Sequence, residues 1–382
     1  MTLADRPSNL FDSTVLSGDI GMTPMDRSDD AFHVVTLESG DFTILDGFRI
    51  VSGNADDTAG DAVGGGLTTV AGTGGHNSIR LSNLTLEGNH ADARGGAIFL
   101  SRVANSTLSR VVCRGNTCFE EVSAGVYTGQ GGGMSLDQCG PSLFTFNSVF
   151  DGNRSIQGGG LHQTQPNAGP IRFQSCLWTD NIAQSGGGLF VSNPGNTELA
   201  HCTVAYNIVG TTLGSAGGAG LRVEGSVGNG PLELLSSIVY RNSGTFYSPG
   251  STPLQNPNAV ETSNNSLVDA SSSCVQLALY AGASPPSWFD SATCIQVDPD
   301  FTNGPTRDFT LSATSPCLDA ANDAHLAFDL ADLDGNSDSS EFVPLDLGES
   351  TREIDTPGVS TGIDGGNTLG GAITDMGAFE RQ

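Results

Sequence analysis

The chain has 382 residues, 42 of them acidic and 15 basic, giving a net charge of −27, and every basic residue is arginine. Such a surplus of negative charge argues against nucleic acid and anionic membranes as partners. It also disfavours polyuronates and sulfated glycans unless divalent cations bridge the two. No apolar run is long enough to span a bilayer.

Residues 1–13 carry neither a basic start nor an apolar core, so they do not read as a signal peptide. They are expected to form an N-terminal lid or part of a truncated coil. Beyond them a phrase recurs in which a short apolar strand ends in Asn, at Asn54, Asn89, Asn116, Asn153, Asn181, Asn207 and Asn242, in steps of 35, 27, 37, 28, 26 and 35 residues. The first six are answered by glycines, at Gly64, Gly95, Gly131, Gly158, Gly186 and Gly217, and then by another apolar strand. A period of that size signals a solenoid.

Residue type selects the kind of solenoid. Helical repeats need strong helix formers at spacings of three and four, whereas these units are β-branched or apolar runs broken by Gly, Asn and Ser. The predicted fold is all-β, a right-handed parallel β-helix with three short strands per coil and a loop-rich C-terminal cap. Coils are assigned to residues 1–297, and the last coils with the cap to residues 298–382.

Registered on the Asn, the residues three earlier are Val51, Leu86, Cys113, Phe150, Trp178, Val204 and Val239, an apolar ladder for the interior. Two residues earlier still, on the same face, stand Ser148, Cys176, Cys202 and Ser237. Asn suits tight bends, and stacked amides can bond along the axis. Nearly all of the phrase is thereby spent on bends and stacking.

The eight cysteines lack the CxxC spacing of a zinc site. Cys113 with Cys118, and Cys274 with Cys294, are the disulfide candidates, each pair flanking a loop-like insertion, while Cys176 and Cys202 read as small interior residues. Longer loops follow Asn116, Asn207 and Asn242, with Phe119, Tyr127, Phe246 and Tyr247 near them as side chains that either anchor the loops or stack on sugars.

The C-terminal part holds the sharpest local signal, DLDGNSDSSE at residues 332–341. Set against a calcium loop, Asp332, Asp334, Gly335, Asp338 and Glu341 take positions 3, 5, 6, 9 and 12, with the Asn336 carbonyl at 7. Hard oxygens, a Gly for the sharp turn and a closing Glu are what Ca²⁺ needs. Position 1, however, is Leu330, and Asp329 lies one residue out of register. The expected metal ligands are Asp332, Asp334, Asn336, Asp338 and Glu341, with Ca²⁺ as a structural cofactor, against the alternative of a solvated acidic loop. SPCLDA and TDMGAFE read as strands of closing coils, with Asp319 and Asp375 capping turns.

GGAI at Gly95 with FDGN at Phe150 resembles the GGA[ILV] and FxxN repeats of polymorphic outer-membrane proteins. A broader likeness is carried by TVLSGDIG from Thr14, DDAFHVV from Asp29, LDGFRIVSGNA from Leu45, DPDFTN from Asp298, DFTLSATSPCLDAAND from Asp308, DLDGNSDSSEFVPLD from Asp332 and TDMGAFE from Thr374. In that order these phrases resemble secreted bacterial right-handed β-helix repeat proteins of the choice-of-anchor Q type. The resemblance implies an extracellular or cell-surface protein with a signal peptide and further coils before the first phrase and an envelope anchor after the last. By that comparison both ends of this chain look cut, and an uncovered coil would favour head-to-tail self-association.

Catalysis finds less support in the residues. A β-helix lyase uses a Lys or Arg base beside carboxylate-held Ca²⁺, and here Lys is absent while Arg80, Arg94, Arg110, Arg114, Arg154, Arg172 and Arg222 occur singly. A polygalacturonase-like hydrolase would need NTD, DD, GHG and RIK phrases, where this chain has only Asp29–Asp30, Asp56–Asp57 and GHN at Gly75. His76, His90 and His162 on one face, or Glu120 with Glu121, are the remaining catalytic candidates. The reading is therefore a non-catalytic surface protein for adhesion, matrix contact or glycan binding. The alternatives are a carbohydrate-active enzyme (lyase, hydrolase or epimerase) and a filament or coat subunit.

Overall fold

The computed structural model describes residues 14–23, 26–40, 42–56, 62–70, 75–123, 126–164, 169–211, 217–225, 230–246, 259–263, 267–277, 284–352, 362–364 and 373–381. Within them the chain winds into a parallel β-helix built on three stacks of strands. The first stack holds the strand before each Asn, such as Thr43–Val51, Ile79–Glu87 and Ser106–Arg114. A second, narrow stack of mostly two-residue strands follows the Asn, from Asn54–Ala55 to Ser243–Phe246. The third follows the glycines, from Val35–Leu37 to Val260–Thr262.

The coils are locked by the asparagines. Asn153 Nδ2 donates to the Asn181 side-chain oxygen at 3.0 Å and to the Cys113 carbonyl at 2.8 Å, and its own oxygen accepts from the backbone and side chain of Asn116 at 3.0 and 2.9 Å. The same pattern runs from Asn89 to Asn207, so each of these amides bonds the coils on both sides, and Asn242 ends the column by accepting from Asn207 and donating to the Val204 carbonyl. In the coil of Thr43–Val51 the position belongs to Gly53, whose backbone N–H donates to Asn89 Oδ1 at 2.9 Å. Asn54 pairs instead with His90, and Ile50, not Val51, is the register partner of Leu86. The repeat therefore starts one residue earlier than the Asn spacing indicates.

At the bend before the third stack are glycines with φ between +62° and +72°, at Gly64, Gly95, Gly131, Gly158, Gly186 and Gly218. A Cβ at these positions would lie 2.0–2.5 Å from the carbonyl oxygen three residues on, a clash that glycine avoids. The interior between the stacks is apolar, and Phe150 and Trp178 on successive coils stack face to face at 5.1 Å. Apolar burial of this kind, about 25 cal/mol per Å² removed from water, is the main stabilising term.

The first stack bends at a corner whose residues adopt left-handed conformations, among them Arg110, Asn147, Ser175, His201 and Ser236. The described residues of 298–381 dock on that corner and run back along the side of the helix. Gly377 N donates to the Ser236 carbonyl at 2.9 Å, Arg352 to Ser175 Oγ at 3.0 Å, Asn147 Nδ2 to the Asp346 carbonyl at 2.7 Å, and Arg110 to the Leu333 carbonyl at 2.5 Å. Apolar contacts reinforce it: Phe301, Phe309, Leu318 and Met376 cover Leu177, Ala205 and Ile238. SPCLDA and TDMGAFE are irregular, not strands. Asp375 holds them together by accepting from Asp319 N at 2.7 Å and Arg381 N at 2.8 Å, and burial pushes its carboxyl up to about 6.

All eight cysteines are buried free thiols, which corrects the expected disulfides. Cys113 faces the main core, whereas Cys118 packs with Ala55 and Ala91 beneath the narrow stack. The insertion after Asn116 is closed instead by backbone pairing in the hairpin Glu120–Ser123 with Val126–Thr128.

Replacing Asn153 with Ala removes the side chain from four buried hydrogen bonds and strands their partners. The expected cost is about 3 kcal/mol or more of unfolding free energy in urea titrations, against under about 0.5 kcal/mol for exposed Asn303→Ala. Equal losses for the two variants would contradict the stacking role.

Candidate metal centre

The acidic loop begins where Phe328 pairs with Phe342 in a short antiparallel bridge, which sets Asp329 N 2.7 Å from the Glu341 carbonyl. Asp329 Oδ2 then accepts from Leu333 N at 2.7 Å, and the chain curls through Asp332, Gly335 and Ser337 at positive φ. The loop is anchored to the helix through Ala327, Leu333 and Val343, which pack on Phe146.

This curl gathers Asp329, Asp334 and Glu341, one carboxylate oxygen of each lying within 4.8 Å of the others. Asp329 is fully buried, and its Oδ1 has no hydrogen-bond partner. A buried carboxylate oxygen left unpaired is costly unless a cation or proton satisfies it. Burial, reinforced by the charges of Asp334 and Glu341, pushes the Asp329 carboxyl up to about 6, although its backbone hydrogen bonds pull the other way. The Asn336 amide relieves part of the repulsion, donating to Asp334 Oδ2 at 3.0 Å and Glu341 Oε1 at 2.7 Å.

Of the five expected ligands the structure brings Asp334 and Glu341 together. Asp332 accepts from Ser337 N at 2.9 Å, and Asp338 from Ser340 N at 2.9 Å and Ser340 Oγ at 2.6 Å, so both serve the loop's own backbone. Asn336 acts through its side-chain N–H rather than its carbonyl. The residue missed by a strict loop alignment is Asp329, which the antiparallel bridge brings next to Glu341. The donor set, three hard carboxylates with one open edge at Asp334, fits Ca²⁺ better than softer metals.

The other candidates are dispersed. His76 is buried and its Nε2 contacts the Val70 carbonyl at 2.8 Å, while His162 is buried on a different stack against Phe190, its rings 5.4 Å apart. Burial and the Arg94 charge push His162 down to about 3, so it stays neutral. His90 lies on the narrow stack. Glu120 lies in the hairpin, Asp30 pairs with Asp19, and Asp57 and Tyr247 lie outside the described residues. Five of the outward arginines are in ion pairs: Arg94 with Asp137, Arg110 with Glu349, Arg114 with Asp151, Arg172 with Glu198, and Arg222 with Glu224 and Glu261.

No family model and no curated protein matches the chain. Among solved structures it is similar to the pectate lyase Pel9A, at 14% identity and a TM-score of 0.35, with 92% of this chain and 86% of that chain covered. A likeness of that strength assigns no activity. The fold rests on the strand pairing itself.

Ca²⁺ at pH 7.5 is expected to raise the melting temperature by about 5 °C, and Asp329→Asn to abolish the increment. Because the raised pKa lets protons compete for Asp329, the increment should shrink as pH falls through about 6. Without metal the sign reverses for this group: its neutral form is favoured in the fold, so its contribution is fully present below about 4 and lost as pH rises through about 6. Differential scanning fluorimetry with Ca²⁺ or EGTA checks both, and a Ca²⁺ increment unchanged in Asp329→Asn would remove the site.

Proposed function

We propose that this protein is an extracellular or cell-surface β-helix that binds glycans or matrix without depolymerising them, with Ca²⁺ held by Asp329, Asp334 and Glu341. The supporting observation is the state of the arginine that reaches the acidic loop. Arg110 donates to the Leu333 carbonyl at 2.5 Å and to Glu349 Oε1 at 3.0 Å, so beside the three carboxylates it serves as a tether and not as a free base. Proton abstraction next to a carboxylate-held cation needs that base unencumbered. The long, rigid outer faces suit repeated contacts with an extended polymer. Bound cations would also offset the charge of −27 that otherwise repels acidic glycans.

Among the described residues no helix is long and apolar enough to cross a membrane.

A panel of neutral and acidic polysaccharides, run with Ca²⁺ and with EGTA, tests this reading. Retention without new reducing ends or unsaturated products is expected, and retention of acidic glycans should weaken in EGTA. Depolymerisation of any panel member would overturn the reading in favour of a carbohydrate-active enzyme.

A further inference from the structure

The narrow stack presents one outward row that the coil architecture does not use. Its strands pair in the register His90, Thr117, Arg154, Ile182 and Ile208, while the neighbouring Ala91, Cys118, Ser155, Ala183 and Val209 are buried beneath. Three polar side chains at one end of this row are joined in line. His90 Nε2 lies 3.0 Å from Asp92 Oδ1, and His90 Nδ1 lies 2.8 Å from Thr117 Oγ1.

The chemistry of the partners orients the protons. An ionised carboxylate only accepts, so Nε2 carries the imidazole hydrogen and Nδ1 presents its lone pair. A lone pair cannot donate, so the Thr117 hydroxyl donates to it. That is the arrangement of a hydroxyl nucleophile, a general base and a carboxylate that orients the base.

The surroundings supply what the three residues lack. Arg154, exposed, is the register partner of Thr117 on the next coil, and its guanidinium carbon lies 5.5 Å from the Phe119 ring centre. Phe119 also meets His90 edge-on at 5.8 Å, walling one side of the imidazole. Beyond Arg154, Ile182 and Ile208 are 39% and 36% exposed and extend the row as an apolar strip. The side chains of His90 and Asp92 each keep 16% exposure, so solvent reaches the relay.

We propose that Thr117, His90 and Asp92 form a catalytic triad that hydrolyses short-chain aliphatic carboxylic esters. Thr117 Oγ attacks the ester carbonyl carbon while its proton passes to His90 Nδ1, and Arg154 faces the oxyanion. The bond to the leaving oxygen then breaks and His90 returns the proton to that oxygen, releasing an alcohol and leaving an acyl-threonine. Water attacks this second ester with His90 again taking a proton, the acid departs, and the proton goes back to Thr117 Oγ. The acyl chain lies along Ile182 and Ile208. This activity is independent of the metal centre and of glycan binding.

The test measures hydrolysis of p-nitrophenyl acetate and butyrate, together with labelling by a fluorophosphonate located by peptide mass spectrometry. The wild type should show saturable turnover, faster on butyrate, with label on Thr117. Thr117→Ala and His90→Gln should each lose about 100-fold or more, and Thr117→Ser should retain turnover and label, which separates chemistry from any effect on folding. No saturable wild-type turnover, a Thr117→Ala rate equal to wild type, or label on another residue would overturn the proposal.

Discussion

The structure depends on the asparagine column. Each amide from Asn89 to Asn207 donates to a carbonyl in one neighbouring coil and to the next Asn, and each accepts from the coil before. A buried amide has two donors and two acceptor sites to satisfy, and a neighbour of the same kind one coil away satisfies them with the least variety of residues. That requirement fixes where the chain turns, and the strands on either side inherit their register from it. Before the third stack, the glycines at positive φ allow the second turn, so the two bends together define the coil.

Much of this is legible in the sequence because it is periodic. The apolar ladder from Leu86 to Val239 and the Asn column are one-per-coil features that spacing reveals. Where a feature is not periodic, spacing misleads. Asn54 looks like the first member of the column, yet Gly53 occupies the place, and its backbone N–H alone donates to Asn89. The disulfide expectation failed for a similar reason: Cys113 and Cys118 are close in sequence but face separate apolar compartments across the turn at Asn116.

The C-terminal segment is legible in its chemistry but not in its placement. Its phrases contain no coil period, so nothing in them indicates that they pack along a corner of the first stack. The docking uses carboxylates as acceptors for backbone N–H groups, with Asp323, Asp346, Asp375 and Glu380 each taking such bonds. Acidic residues thus replace the regular ladder where the chain leaves the solenoid. Asp329 leaves one buried oxygen without a hydrogen-bond partner, and it stands beside Asp334 and Glu341 because of a bridge between Phe328 and Phe342 that the sequence does not announce. Of the outward row, His90 and Arg154 are candidates in the sequence, but their alignment with Thr117 is not legible there, since its members are one per coil and chemically unlike one another.

Function in this architecture is confined to what the stacking leaves free, and the candidate metal centre at the acidic loop is one such place. Anomalous diffraction from crystals soaked in a lanthanide, which substitutes for Ca²⁺ at oxygen sites, tests it most directly. A strong peak is expected within bonding distance of Asp329, Asp334 and Glu341 together. A peak ligated by Asp332 and Asp338 instead, or no peak at the loop, would contradict it.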